Sequence, residues 1–141
     1  MKRIVMLSFA LVMMLGSFSC NAQTSKKADA KTTASTKVEV YYFHFTARCA
    51  TCRAVEDNSK VAFETLYADK VKNGEYGFKG LNLDDAKSKA IAEKLGVGGQ
   101  SLLVVCGNKK VDLTSKGFLY AHDADKIKEE IKKAVNNVLM N

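Results

Sequence analysis

Cys49 and Cys52 are the residues of this chain best suited to chemistry. They close the run V-E-V-Y-Y-F-H-F-T-A-R-C-A-T-C-R, residues 38–53. There an apolar, β-branched and aromatic pattern gives way to a long helical one. Thiol–disulfide exchange needs one thiolate to attack a partner disulfide and a second thiol to resolve the mixed intermediate. Two intervening residues at a helix start put both sulfurs on one turn, within bonding reach. The spacing predicts Cys49 at the N-cap, exposed and nucleophilic, and Cys52 inside the first turn, shielded and resolving. Unpaired backbone N–H groups and the positive end of the helix dipole favour a Cys49 thiolate, so this thiol is expected to ionise below the ordinary range. Arg48 precedes the pair. Arg53 lies four residues after Cys49, where a helical side chain leans back toward the N-terminus. For Arg53, approach to the sulfur and a solvated helix end are equal alternatives.

A single C-x-x-C has other chemical uses. A structural zinc site normally takes four Cys or His ligands, often as two paired motifs. Here there is one pair, and His44 and His122 stand at no motif spacing, so no metal site is assigned. His44, within an apolar strand, reads as a packed core histidine, and His122 as a surface or capping residue. No cofactor is implied by the residues, and Gly96–Gly99 is too short a run for a phosphate loop.

The elements that must position the pair follow in order. Val38–Phe45 reads as a strand with little alternation, which suits a central strand covered on both faces. From Cys49, Val55, Ala62 and Leu66 form one helical stripe with Phe63, Tyr67 and Val71 beside it. Asn73-Gly74 stops a helix of about twenty residues. Tyr76–Leu83 reads as a second strand weakened by Gly77 and Gly80. Asp84 and Asp85 offer N-cap chemistry to a short helix through Leu95, closed by Gly96. Leu102–Cys106 is an apolar strand, and Gly107-Asn108 turns it into a hairpin partner at Val111–Thr114. A last helix starts near Asp123 with Ile127, Ile131, Ala134, Val135 and Val138 on one face. The order βαβαββα predicts a parallel first pair of strands, antiparallel additions to a mixed sheet, and helices on both faces, an α/β sandwich of three layers.

The N-terminal 37 residues stand apart. Lys2 and Arg3 precede an apolar run, Ile4–Phe18, too short to span a membrane, so residues 1–20 read as a secretory signal. Small residues before Cys20 resemble a bacterial lipoprotein cleavage site, which implies lipidation of Cys20 and a membrane anchor. Cleavage after Ala22, leaving a soluble periplasmic protein, is the alternative. Residues 21–37 are small and polar and read as a flexible tether, leaving 38–141 as the folded domain. The chain's net charge is +7. Of its 22 basic and 15 acidic side chains, six bases and Asp29 lie before residue 38, so the domain carries only +2 on 16 bases and 14 acids. That balance offers nothing to nucleic acid. The lack of acids just after Cys20 differs from surface-export signals of similar lipoproteins and places the domain facing the periplasm.

Strand, C-x-x-C and helix in this arrangement resemble the thioredoxin-like superfamily, over residues 38 to about 137. The stretches Y-Y-F-H-F-T-A-R-C-A-T-C-R and G-V-G-G-Q-S-L-L are locally similar to small thioredoxin-like proteins labelled as a nitrophenyl-compound nitroreductase subunit linked to arsenic-resistance operons. The resemblance implies a thioredoxin-like three-layer αβα sandwich. It places Ser101 where such proteins carry a cis-proline, although this chain has no proline. A cis bond before a non-proline residue costs several kcal/mol, so the Gln100–Ser101 bond is expected to be trans, with the Ser101 hydroxyl available to the site. In that fold the start of the Ser101 strand approaches the pair. Cys106, five residues on and about 16 Å away, is then a small buried hydrophobe rather than a third ligand. The buried acid such proteins place six residues before the first cysteine is Phe43 here, and the usual aromatic before it is Arg48. The function implied is an envelope thiol–disulfide oxidoreductase reducing partner disulfides. Its partners would be protein thiols and disulfides or a redox protein. The alternatives are a dithiol module that captures soft metal ions or trivalent arsenic, and a redox accessory subunit of a reductase.

Overall fold

A computed structural model describes residues 37–140. The expected signal segment, Cys20 and the tether up to residue 36 lie outside them. Nine elements follow in order: β1 (Val38–His44), α1 (Ala50–Leu66), α2 (Ala68–Lys72), β2 (Tyr76–Asn82), α3 (Ala86–Lys94), β3 (Ser101–Cys106), β4 (Lys109–Asp112), α4 (Thr114–Leu119) and α5 (Ala124–Met140). Among the described residues, no helix is long and apolar enough to cross a membrane.

The four strands form one mixed sheet in the order β2-β1-β3-β4. β1 pairs with β2 in parallel, Val38 opposite Tyr76, and with β3 antiparallel, Phe43 opposite Ser101 and Val38 opposite Cys106. β3 and β4 form the expected hairpin. The weak alternation of β1 has a direct cause, since successive side chains point to opposite faces and both faces are covered. Val38, Val40 and Tyr42 join the larger core with Val55 and Phe63 of α1 and Ile127, Ile131, Val135 and Val138 of α5. Tyr41 and Phe43 point the other way, into a smaller core with Leu103 and Ala92 of α3.

Two elements differ from the sequence expectation. The first long helix breaks at Tyr67, which leaves helical dihedrals (φ −128°, ψ 33°) and caps α1 and α2 at once. Its ring packs tilted against Phe63 at 5.4 Å, an i,i+4 neighbour, and at 5.2 Å against Tyr76 of β2, the tertiary contact made where the helix breaks. The second difference is α4, a six-residue helix not assigned from the sequence. Its buried Gly117 allows close packing: a Cβ there would come within 3.1 Å of Leu102 and 3.2 Å of Val55. The chain therefore runs βααβαββαα rather than βαβαββα. Other boundaries fall close to expectation. Asp85 caps α3 by accepting from the Ser88 N–H, and Gly96, at φ +66°, follows its end in the left-handed region glycine favours.

Candidate active site

The β1–α1 junction delivers Cys49 to the helix start. Cys49 is the N-cap of α1, with extended dihedrals, and its Sγ accepts the Cys52 N–H at 3.0 Å. Side-chain acceptance at an N-cap satisfies one of the orphan donors of the first turn, and here a sulfur performs that role. Cys49 and Cys52 are joined by a disulfide, with Cα atoms 5.1 Å apart. Their exposure is unequal: Cys49 is open to solvent, whereas Cys52 retains 7% of its surface. No acidic residue stands in the first turn of α1 to oppose negative charge on Cys49.

The loop carrying Ala47 and Arg48 is tied down from the neighbouring strand. Thr46 donates its N–H to Asp84 at 2.7 Å, and Asn82 donates to the Thr46 hydroxyl at 2.8 Å. The hydrogen bonds from Thr46 hold the Asp84 carboxyl below its ordinary range.

The structure gives the two flanking arginines partners other than sulfur. Arg48 pairs with Glu56, one helical turn beyond Cys52, and its guanidinium sits 5.7 Å over the Tyr42 ring. Both side chains of the pair are more than four-fifths buried. Its charge is thus directed at a carboxylate rather than at sulfur, and its Nε finds no hydrogen-bond partner among the described residues. Room for this ion pair comes from Gly80 in β2, where any Cβ would run into the Glu56 carboxylate. Arg53 is exposed and donates to the Arg48 carbonyl at 3.4 Å, which makes it a helix-end contact. At Ser101 the hydroxyl is engaged locally. It donates to the Gly99 carbonyl at 3.0 Å, within its own loop. The Gln100–Ser101 bond is trans, since the described residues contain no cis peptide.

Three residues not singled out from the sequence shape the site, two against Cys52 and one against Arg48. Gln100 Oε1 lies 3.7 Å from Cys52 Sγ, and Gln100 Nε2 donates to the Tyr42 hydroxyl. Tyr42 in turn donates to the Cys52 carbonyl at 2.8 Å. Burial raises the Tyr42 pKa, so the hydroxyl keeps its proton at neutral pH. Glu56 is the third. A signal existed for one of them: Gln100 is a lone amide between glycines and an apolar strand. Tyr42 offered none, because its ring reads as ordinary strand core.

The remaining candidates stand apart. His44 is half-buried at the end of β1, with Nδ1 3.0 Å from the Phe45 carbonyl oxygen, and His122 is exposed. Cys106 is half-buried at the far end of β3, opposite Val38 and Lys109, with the length of the strand between it and the pair. Among the described residues, no three His, Cys, Asp or Glu side chains gather in a metal-binding cluster.

No protein-family model matches the chain, and no curated protein does. Among solved structures it is similar to one described as "Structure of a malarial protein", at 16% identity over 70% of this chain and 97% of that one, with a TM-score of 0.47. A likeness of that degree carries no argument about activity.

Proposed function

We propose that this chain is an envelope thiol–disulfide oxidoreductase on a thioredoxin-like scaffold, with Cys49 as nucleophile and Cys52 as resolving thiol, reducing disulfides in partner proteins. The observation that carries the reading is the asymmetry of the pair. One sulfur is exposed at a helix N-cap and accepts a backbone N–H, while its bonded partner is buried one turn on. In the reduced protein the Cys49 thiolate attacks a partner S–S bond, and the displaced partner thiolate takes a proton from solvent. Cys52 then gives up its proton and attacks the Cys49 sulfur, releasing the second partner thiolate, which is protonated in turn. The partner gains two electrons, and the Cys49–Cys52 disulfide holds the oxidising equivalent until an external dithiol reduces it.

The thioredoxin-like assignment draws support from the strand order, the parallel β1–β2 pair, the antiparallel β3 and β4, and helices packed on both faces. Export and lipid anchoring at Cys20, with the domain facing the periplasm, draw support from the charged start, apolar run and small residues before that cysteine.

Trapping tests the proposal. With Cys52→Ser in the native envelope, attack by Cys49 cannot be resolved, so partners accumulate as mixed disulfides identifiable by mass spectrometry. Cys49→Ser should abolish both trapping and reduction of a model protein disulfide. Recovery of no mixed disulfide, combined with tight arsenite uptake by the reduced protein, would move the assignment to a dithiol binding module.

A further inference from the structure

We infer that Gln100, held in place by Tyr42, selectively stabilises the reduced form of the pair by accepting a hydrogen bond from the Cys52 thiol. The inference rests on the reading of Cys49–Cys52 as an exchanging dithiol and assigns its redox poise to a specific side chain.

The orientation of the amide follows from Tyr42. The Tyr42 hydroxyl has one proton, and it is committed to the Cys52 carbonyl at 2.8 Å. Toward Gln100 that oxygen can only accept, so it must face the NH2 end of the amide. The carbonyl end is thereby turned to Cys52, where Oε1 lies 3.7 Å from Sγ. Amide orientation is normally assigned from its hydrogen-bond network, and here a single donor commitment determines it.

The consequence differs between redox states. In the disulfide, Cys52 Sγ has no hydrogen and Oε1 gains nothing from it. Reduction by a dithiol breaks the S–S bond, passes two electrons to the sulfurs and leaves a proton on each, with Cys49 then free to ionise. The reductant departs as its own disulfide. Cys52 now carries an S–H, a weak donor with an acceptor already aimed at it. A Cys52 thiolate would instead face the negative end of the amide dipole, so negative charge is directed to Cys49, where the Cys52 N–H receives it. The Tyr42–Cys52 carbonyl bond involves no atom that reduction changes, so it cancels from the balance.

Equilibration of the purified full chain with dithiothreitol, read by alkylation and mass spectrometry of the peptide carrying Cys49 and Cys52, tests this. Gln100→Met keeps the shape and removes the acceptor. It should lower the equilibrium constant for reduction about threefold to fivefold, a potential about 15–20 mV more negative for a two-electron couple. Tyr42→Phe frees the amide and should shift the constant in the same direction by less. Ser101→Ala, whose hydroxyl serves only its own loop, should leave it unchanged. A wild-type constant in Gln100→Met overturns the inference, as does an equal shift in Ser101→Ala. If Gln100→Met fails to fold, an unchanged constant in Tyr42→Phe overturns it alone. A wild-type pair that stays oxidised in excess dithiothreitol also overturns it. The proposed function is judged separately, by whether the wild type reduces a protein disulfide, so either can fail alone.

Discussion

At Arg48 a cation adjacent in sequence to a cysteine is compensated by a carboxylate further along the helix. A positive charge beside Cys49 would favour its thiolate, but Glu56 pairs with the guanidinium in a setting with little solvent to weaken the attraction. Breaking such a pair by removing one charge leaves the other uncompensated. Glu56→Gln keeps the shape and a hydrogen-bond acceptor while exposing the cysteine to an unbalanced Arg48. In the reduced protein the Cys49 thiolate should then form at lower pH than in wild type. Thiolate absorbance followed through a pH titration checks this, and an unmoved curve would mean that the guanidinium field does not reach the sulfur. Arg53→Ala should leave the same curve in place, because Arg53 spends its contact on the Arg48 carbonyl.

The site at the level of elements is a junction held from three sides. β1 brings the loop up, the β2 end anchors it through Asn82 and Asp84, and the residues before β3 bring Gln100 against the first turn of α1. α1 must therefore be placed accurately, and α4 helps to place it. Gly117 lets α4 approach so closely that a Cβ there would press on Leu102 and Val55, both buried, at less than ordinary contact distance. Gly117→Val should destabilise the fold by about 1–3 kcal/mol through overpacking, measured as a lower denaturation midpoint. A midpoint equal to wild type would show that the α1–α4 contact can yield. Gly80 has a similar spatial role on the opposite edge, where it leaves room for Glu56 against β2.

Across the whole molecule, acid sensitivity is concentrated where the first two strands meet. Burial on its own would raise the Glu39 carboxyl. Hydrogen bonds from Lys79, Tyr41 and Lys37 outweigh it and bring the pKa down to about 2. Glu39 thus ties β1 to β2 through Lys79 and to the residue that enters the domain. A carboxyl lowered on folding contributes stability that is complete above its unfolded value, 4.5, and is lost as pH falls toward about 2. Denaturation midpoints measured between pH 6 and pH 2, a range set by that titration, should fall steeply in wild type and more gently in Glu39→Gln. Parallel profiles would remove Glu39 from the acid response.

Much of this molecule is legible in its sequence. The C-x-x-C at a strand–helix junction, the strand covered on both faces, the parallel-then-antiparallel sheet and the buried stripe of α5 are local in origin. Periodicity, capping residues and connection length determine them without reference to distant parts of the chain. Tertiary structure decided what the polar groups around the pair do. Arg48 was free in sequence to face Cys49, and only the fold brought Glu56 and the Tyr42 ring to it. Ser101 and Gln100 are polar neighbours, yet the loop turns the Ser101 hydroxyl onto Gly99 and aims the Gln100 amide at Cys52. Gln100 and Tyr42 stand 58 residues apart, and no pattern in the chain connects them. Their hydrogen bond joins a β1 side chain to the loop that enters β3, and it exists only once β1 and β3 lie side by side.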